Sequence, residues 1–189
     1  MGHDDELAVM DTVIGEVPVG DVVDVEMGPW GLATATFNAQ RTHRFRLSRV
    51  WAENGGRVNF LMLNPSTADA FKLDPTVRRC VGFASDWGAG ALEVTNIFAL
   101  RSTDPAGLRQ VDDPVGKGND AAIVAAACAA DIVVAAWGVH GAYRGREAQV
   151  RALLDEAGVD LRVLRLTKHG HPGHPLYVPA ATMHQVWTL

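Results

Sequence analysis

Two short polar segments are the first candidates for ligand chemistry: Asn64-Pro65-Ser66-Thr67 and His174-Pro175-Leu176-Tyr177. In the first segment, the asparagine carboxamide can donate and accept hydrogen bonds, and the proline holds it in an extended conformation. The serine and threonine could present hydroxyl and backbone N–H groups to an anion. The alternative is an Asx or Ser/Thr turn that satisfies only its own backbone. We therefore take Asn64 as a candidate catalytic residue and Pro65, Ser66 and Thr67 as candidate binding residues.

Asn96 and His174 extend this candidate set. Asn96 lies within a segment predicted to be a buried strand, where a carboxamide without a partner costs about 1 to 3 kcal/mol. It therefore bonds either to a neighbouring loop or to a polar ligand, and asparagine is suited to the edge of a nucleobase. A neutral His174 could donate a hydrogen bond to negative charge that develops on a leaving group, and the alternative is a surface histidine.

Aspartates supply the candidates for a general base. Asp74 precedes a proline and is explained as a helix cap. Asp69 has no such structural explanation, so it is the preferred candidate. The remaining aspartates near the polar loops are Asp104, Asp112 and Asp113.

Basic and aromatic side chains near these loops are further candidates for ligand binding: Arg78, Arg79, Arg101, His140, His171 and Tyr177. The chain has a net charge of −5, which does not favour broad contact with a nucleic-acid backbone. The negative charge does not exclude a local basic groove. The candidates for one are the three arginines together with Arg109, Arg144, Arg146 and Arg151. The alternative is that most of them lie on solvated helix faces.

His169, His171 and His174 form a run that could bind a metal ion through imidazoles. No cysteine or glutamate joins the run, and its glycines and prolines indicate a rigid loop, so we expect neither a metal nor a cofactor. The P-loop, Gly-x-Gly-x-x-Gly and Gly-x-Ser-x-Gly motifs do not occur, which disfavours P-loop ATPases, dehydrogenases and α/β-hydrolases.

The elements that must position these residues alternate between strand and helix. Strands are predicted over 58–63, 92–100, 132–137 and 161–166, and helices over 75–88, 119–130 and 147–157. This alternation predicts an α/β three-layer sandwich with a mostly parallel central sheet. The polar segments then follow the carboxyl ends of the strands, the edge at which such sheets bind ligands.

The N-terminal part of the chain has a different pattern. Residues 32–38 and 43–51 alternate as half-buried strands do, so 21–54 are predicted to form an antiparallel hairpin. Residues 1–20 are predicted to be an arm or a first edge strand, and 55–189 form the core of a single α/β domain over 1–189. The acidic N-terminus is unlike a signal peptide, and the two cysteines are expected to be buried thiols of a cytoplasmic protein.

Several ordered motifs resemble an uncharacterised bacterial family, domain of unknown function 1643. The resemblance covers roughly residues 30 to 189. It is carried by the segments 61–69 (LMLNPSTAD), 74–80 (DPTVRRC), 95–101 (TNIFALR) and 174–177 (HPLY). This family implies no established activity.

The order strand–Asn-Pro-Ser, strand–Thr-Asn and late His-Pro also resembles the uracil-DNA glycosylase superfamily. The resemblance implies a glycosylase-like fold in which Asn64 holds a water molecule, Asn96 binds the base and His174 stabilises the departing base anion. Leu176 replaces the serine of the superfamily's last motif, and Met62 replaces a glycine before the first. The implied partner is a nucleobase-containing ligand, for which a free nucleotide, a nucleoside and single-stranded DNA stand on equal terms with duplex DNA. A non-catalytic module that binds such a ligand is the alternative.

Overall fold

One mixed sheet runs through the computed structural model, which describes residues 17–66 and 74–188. Its strands are β1 (Val22–Gly28), β2 (Gly31–Phe37), β3 (Arg44–Val50), β4 (Gly56–Met62), β5 (Ala89–Asn96), β6 (Ile132–Ala135), β7 (Leu161–Val163) and β8 (Gln185–Val186). Their order across the sheet is β1-β2-β3-β5-β4-β6-β7-β8.

Three α-helices connect the central strands in the described part of the chain: α1 (Pro75–Asp86), α2 (Asn119–Cys128) and α3 (Arg146–Glu156). Short 3-10 turns lie at Pro105–Arg109, Val139–Gly145 and Pro175–Tyr177. The predicted start of the first helix is confirmed, because the Asp74 side chain caps α1 and Pro75 is its first residue. Gly88 closes this helix with a φ of +80°, a conformation that glycine adopts without strain.

The prediction of a mostly parallel sheet is wrong. Strands β5, β4, β6 and β7 pair in parallel, but the other four pairings of the described sheet are antiparallel. The reason is that β3 pairs with β5, with Leu47 opposite Val94, so the predicted N-terminal hairpin is part of the same sheet. Alternation along a strand indicates which residues share a face, but it does not indicate which strand lies beside it.

Other differences from prediction lie at the edges and ends of the strands. The predicted hairpin is confirmed as β2 and β3. Strand β1 also pairs with β2 and lies at one edge of the sheet, where its residues are half-buried or exposed. The two-residue strand β8 forms the opposite edge. Strand β5 begins and ends earlier than predicted, because the apolar run continues beyond Asn96 as irregular chain whose Ile97 N–H donates to the Met62 carbonyl over 2.9 Å.

Helices cover both faces of the parallel strands. On one face, Val77, Cys80 and Phe83 of α1 pack on Phe60 and its neighbours. On the other, side chains of α2 and α3 pack against Leu61 of the same strand. Successive residues of a strand point to opposite faces, so β4 contributes to both cores, as expected of a strand covered on both sides. The described residues thus form three layers.

Two further observations bear on the sequence predictions. Every helix in the described part of the chain falls short of the length and apolarity that a bilayer crossing requires. Both cysteines are free thiols, but only Cys80 is buried. Cys128 is exposed at the end of α2, so the expectation that both are buried is wrong for this residue.

Candidate functional site

A pocket with a volume of about 530 Å³ lies at the carboxyl ends of the parallel strands in the described structure. Along the chain, β4 is followed by β5 on one side and then by β6 on the other side, so the strand order reverses at β4. Ligands of α/β sheets bind outside the strand ends at such a reversal. The lining includes Asn64 and Ser66 after β4, Asn96 at the end of β5, Gly138 and His140 after β6, and His174 and Tyr177 in the last loop. The structure thus brings together the central part of the predicted site.

Asn64 is held by the loop in which it lies. Its Nδ2 donates to the carbonyl of Ser102 over 2.8 Å and to that of Pro65 over 3.2 Å. Both amide hydrogens are therefore committed to the protein backbone, and Oδ1 is the atom that the side chain can present to a ligand or a water molecule. Pro65, a predicted binding residue, does not line the pocket, and its carbonyl also accepts from Ser102 N–H.

Asn96 lies at the end of β5 and is only 2% exposed. Its backbone carbonyl accepts from Nδ2 of Asn119 over 2.9 Å, which anchors the main chain at this point. The side-chain Oδ1, however, is buried and has no hydrogen-bond partner among the described residues. Since a buried amide oxygen without a donor is costly, Asn96 has the properties of a residue that meets a polar ligand.

His174 presents one ring nitrogen to the protein and leaves the other for a ligand. Its Nδ1 accepts from the backbone N–H of Leu176 over 3.4 Å at the start of a 3-10 turn. The proton of the neutral ring therefore belongs on Nε2, which makes this atom a donor. Burial lowers the pKa of His174 below its usual 6.5, although the Asp74 carboxylate opposes the shift. His174 is accordingly neutral at pH 7.

Asp74 lines the same pocket, a role beyond the helix cap that the sequence predicts. One carboxylate oxygen accepts from Val77 N–H over 2.7 Å and the other from the Ser66 hydroxyl over 3.2 Å. Both oxygens thus have protein partners. Asp104 and Asp113 are likewise engaged by neighbouring backbone N–H groups, and neither lines the pocket.

Replacing Asp74 by alanine is expected to lower the free energy of unfolding by about 0.5 to 2 kcal/mol, because α1 loses its cap. Asparagine caps helices as well as aspartate, so Asp74→Asn should retain most of the stability while removing the charge. Urea unfolding of the two variants measures the difference. Equal losses in both would contradict a capping role and would assign the effect to the charge.

Two residues that sequence reasoning missed complete the pocket. Arg44 begins β3 and is 5% exposed, and Trp137 follows β6 and is 1% exposed; both line the pocket. Arg44 Nε and Trp137 Nε1 have no acceptor among the described residues. The sequence signal was present but ambiguous, because a charge in an alternating strand is usually solvated and a tryptophan in an apolar run is usually core. Arg165 and Thr167 add polar groups from the chain after β7.

Other predicted binding residues lie elsewhere. Arg78 and Arg79 line a separate shallow depression on α1, and Arg101 lies over the ring of Phe37 and donates to the Arg41 carbonyl. None of the arginines of the predicted basic groove lines the pocket. Arg109, Arg144 and Arg151 contact aromatic rings, and Arg146 contacts Asp120. Thr67 and Asp69 lie outside the described residues.

The histidine run does not act as a unit. His171 Nδ1 lies 2.8 Å from a carboxylate oxygen of Glu147, whereas His174 lines the pocket. Within residues 17–66 and 74–188, no three His, Cys, Asp or Glu side chains are grouped so as to hold a metal ion.

The fold is that of a mixed α/β protein with a pocket at the point where its strand order reverses. The chain belongs to the family described as "Protein of unknown function (DUF1643)", which matches residues 44–176. The family prediction is thereby confirmed over a shorter range than expected. No curated protein and no solved structure matches the chain.

Proposed function

We propose that the pocket binds a nucleobase-containing ligand and hydrolyses its N-glycosidic bond, in DNA or in a nucleotide. One observation carries the proposal: Asn64, Asn96 and His174, which come from three distant segments of the sequence, line the same pocket. These are the residues to which the resemblance to uracil-DNA glycosylases gives the water, the base and the leaving group. The volume of about 530 Å³ is suited to a small organic ligand.

The hydrogen-bond partners support these roles. Hydrolysis forms a bond between a water oxygen and the anomeric carbon and breaks the carbon–nitrogen bond, so the base departs with the bonding electrons. Oδ1 of Asn64 is available to accept a hydrogen bond from the water, since its Nδ2 is committed to the loop. Nε2–H of His174 is available to donate to the departing base, which finally takes up the proton lost by the water. Asp69 stays the predicted general base.

Release of a free base from defined substrates tests the proposal. The protein is incubated with oligonucleotides that contain uracil or other modified bases, in single-stranded and duplex form, and separately with nucleotides and nucleosides. We expect release from at least one class, detected by chromatography, and loss of release in His174→Leu, which has no hydrogen-bond donor at this position. Absence of release from every substrate would refute the hydrolytic proposal.

A non-catalytic binding module is the second candidate, and a specific observation favours it. The groups with no partner among the described residues, on Asn96, Arg44 and Trp137, are suited to recognition. The Asp74 carboxylate, by contrast, already serves the helix and Ser66. Saturable binding without base release would support this candidate. For either candidate we propose a cytoplasmic location, which two free thiols favour.

A further inference from the structure

Arg44 is placed in the pocket by the sheet itself. Its backbone N–H donates to the carbonyl of Ala99 over 2.9 Å, which fixes the first residue of β3 beside the chain that leaves β5. Arg44 is only 5% exposed, and it lines the pocket. A cation is therefore held at a defined position in the wall of the site, close in the sheet to Asn96.

The charge of Arg44 is not neutralised by a contacting carboxylate in the described structure. Its Nε has no hydrogen-bond partner among these residues. Asp74 attracts the guanidinium from a distance, but both of its oxygens already accept hydrogen bonds from Val77 and Ser66. Two other arginines differ in this respect: the buried Arg146 contacts Asp120, and the half-buried Arg46 contacts Glu93.

Burial lowers the pKa of Arg44 to about 10, with Asp74 acting in the opposite direction. The side chain therefore keeps its charge at pH 7. A buried charge without a contacting partner destabilises the folded protein, and such a residue persists where a ligand supplies the missing partner.

We propose that Arg44 binds an oxyanion of the ligand, so that the pocket selects negatively charged nucleobase compounds over their uncharged counterparts. This inference deepens the proposed function and rests on the same pocket. The oxyanion could be the phosphate of a nucleotide or a carboxylate on the base. In both cases the guanidinium donates charge-assisted hydrogen bonds, for which arginine has a suitable planar geometry.

Matched pairs of ligands distinguish the two sources of the oxyanion. Each nucleoside is compared with its 5′-monophosphate, and uracil is compared with orotate, by isothermal titration calorimetry. We expect the charged member of one pair to bind the wild-type protein roughly 10- to 100-fold more tightly, the range expected of a charge-assisted hydrogen bond. Inorganic phosphate serves as a probe that contains no base.

Arg44→Met removes the charge with little change in volume, Arg44→Lys retains the charge, and Lys117→Met is a control for net charge at an exposed residue outside the pocket. We expect Arg44→Met to lose the preference for the charged ligand, Arg44→Lys to retain part of it and the control to retain all of it. Without ligand, Arg44→Met should unfold at a temperature equal to or above that of the wild type, since the unpartnered charge is gone.

A structural role for Arg44 would give the opposite stability result. An Arg44→Met protein that is less stable than the wild type or does not fold, or one that keeps the preference for the charged ligand, would overturn the inference. If no nucleobase compound binds the wild type but inorganic phosphate stabilises it and not Arg44→Met, the proposed function fails and the oxyanion site stands. If uncharged and charged compounds bind the wild type equally, the oxyanion site fails and the proposed function stands.

Discussion

Replacing Asn96 by alanine is expected to weaken binding of a nucleobase ligand by roughly 10- to 100-fold. A pair of hydrogen bonds between asparagine and a base edge contributes about 1 to 3 kcal/mol, which corresponds to this range. The buried Oδ1 of Asn96 has no hydrogen-bond partner among the described residues, so it is available to accept a hydrogen bond from the base. Calorimetric titration of both proteins with the compound that binds the wild type most tightly measures the change.

The stability of Asn96→Ala separates a binding role from a structural one. The backbone carbonyl of Asn96 still accepts from Asn119 in the variant, and Oδ1 has no hydrogen bond to a described residue that the substitution would remove. We therefore expect the free energy of unfolding to fall by no more than about 1 kcal/mol, the cost typical of a point substitution. Asn54→Ala, in an exposed turn, is the matched control. Unchanged affinity in Asn96→Ala would remove Asn96 from the site.

The part of the site that sequence could predict follows from the geometry of parallel strands. The carboxyl ends of β4, β5, β6 and β7 meet at one edge, so polar residues directly after them converge whatever the details of the loops. For this reason the predictions for Asn64, Asn96, His140 and His174 agree with the pocket lining. Knowledge of the strand order was not needed for that part of the prediction.

The residues that sequence reasoning misplaced depend on contacts between distant segments. His171 and His174 are close in the chain, but a glutamate on α3 pairs with the first and leaves the second to the pocket. Arg44 reaches the pocket only because β3 pairs with β5, and that pairing was not predicted. Periodicity gives the faces of an element, whereas the identity of the neighbouring element depends on the packing of the whole chain.

Replacing His174 by leucine, which has no hydrogen-bond donor, is expected to lower kcat for base release by about 10²- to 10³-fold with a smaller effect on KM. This is the cost of removing one donor that stabilises negative charge in a transition state. A change confined to KM would instead show that His174 binds the ligand in its ground state. Steady-state rates of base release, measured with the substrate class that the wild type accepts, give both constants. His169→Leu, which makes the same substitution at an exposed histidine outside the pocket, is the matched control.

The pH dependence of kcat gives a readout that a merely structural histidine would not produce. Burial favours the neutral ring of His174, and protonation of Nδ1 would also turn the acceptor of Leu176 N–H into a donor. The histidine-dependent change in rate should therefore lie below pH 6.5, with a constant rate contribution above it. Because the Asp74 carboxylate raises the pKa of His174, Asp74→Asn should move this change to still lower pH. A change that moves to higher pH in Asp74→Asn, or one that persists in His174→Leu, would show that another group is responsible.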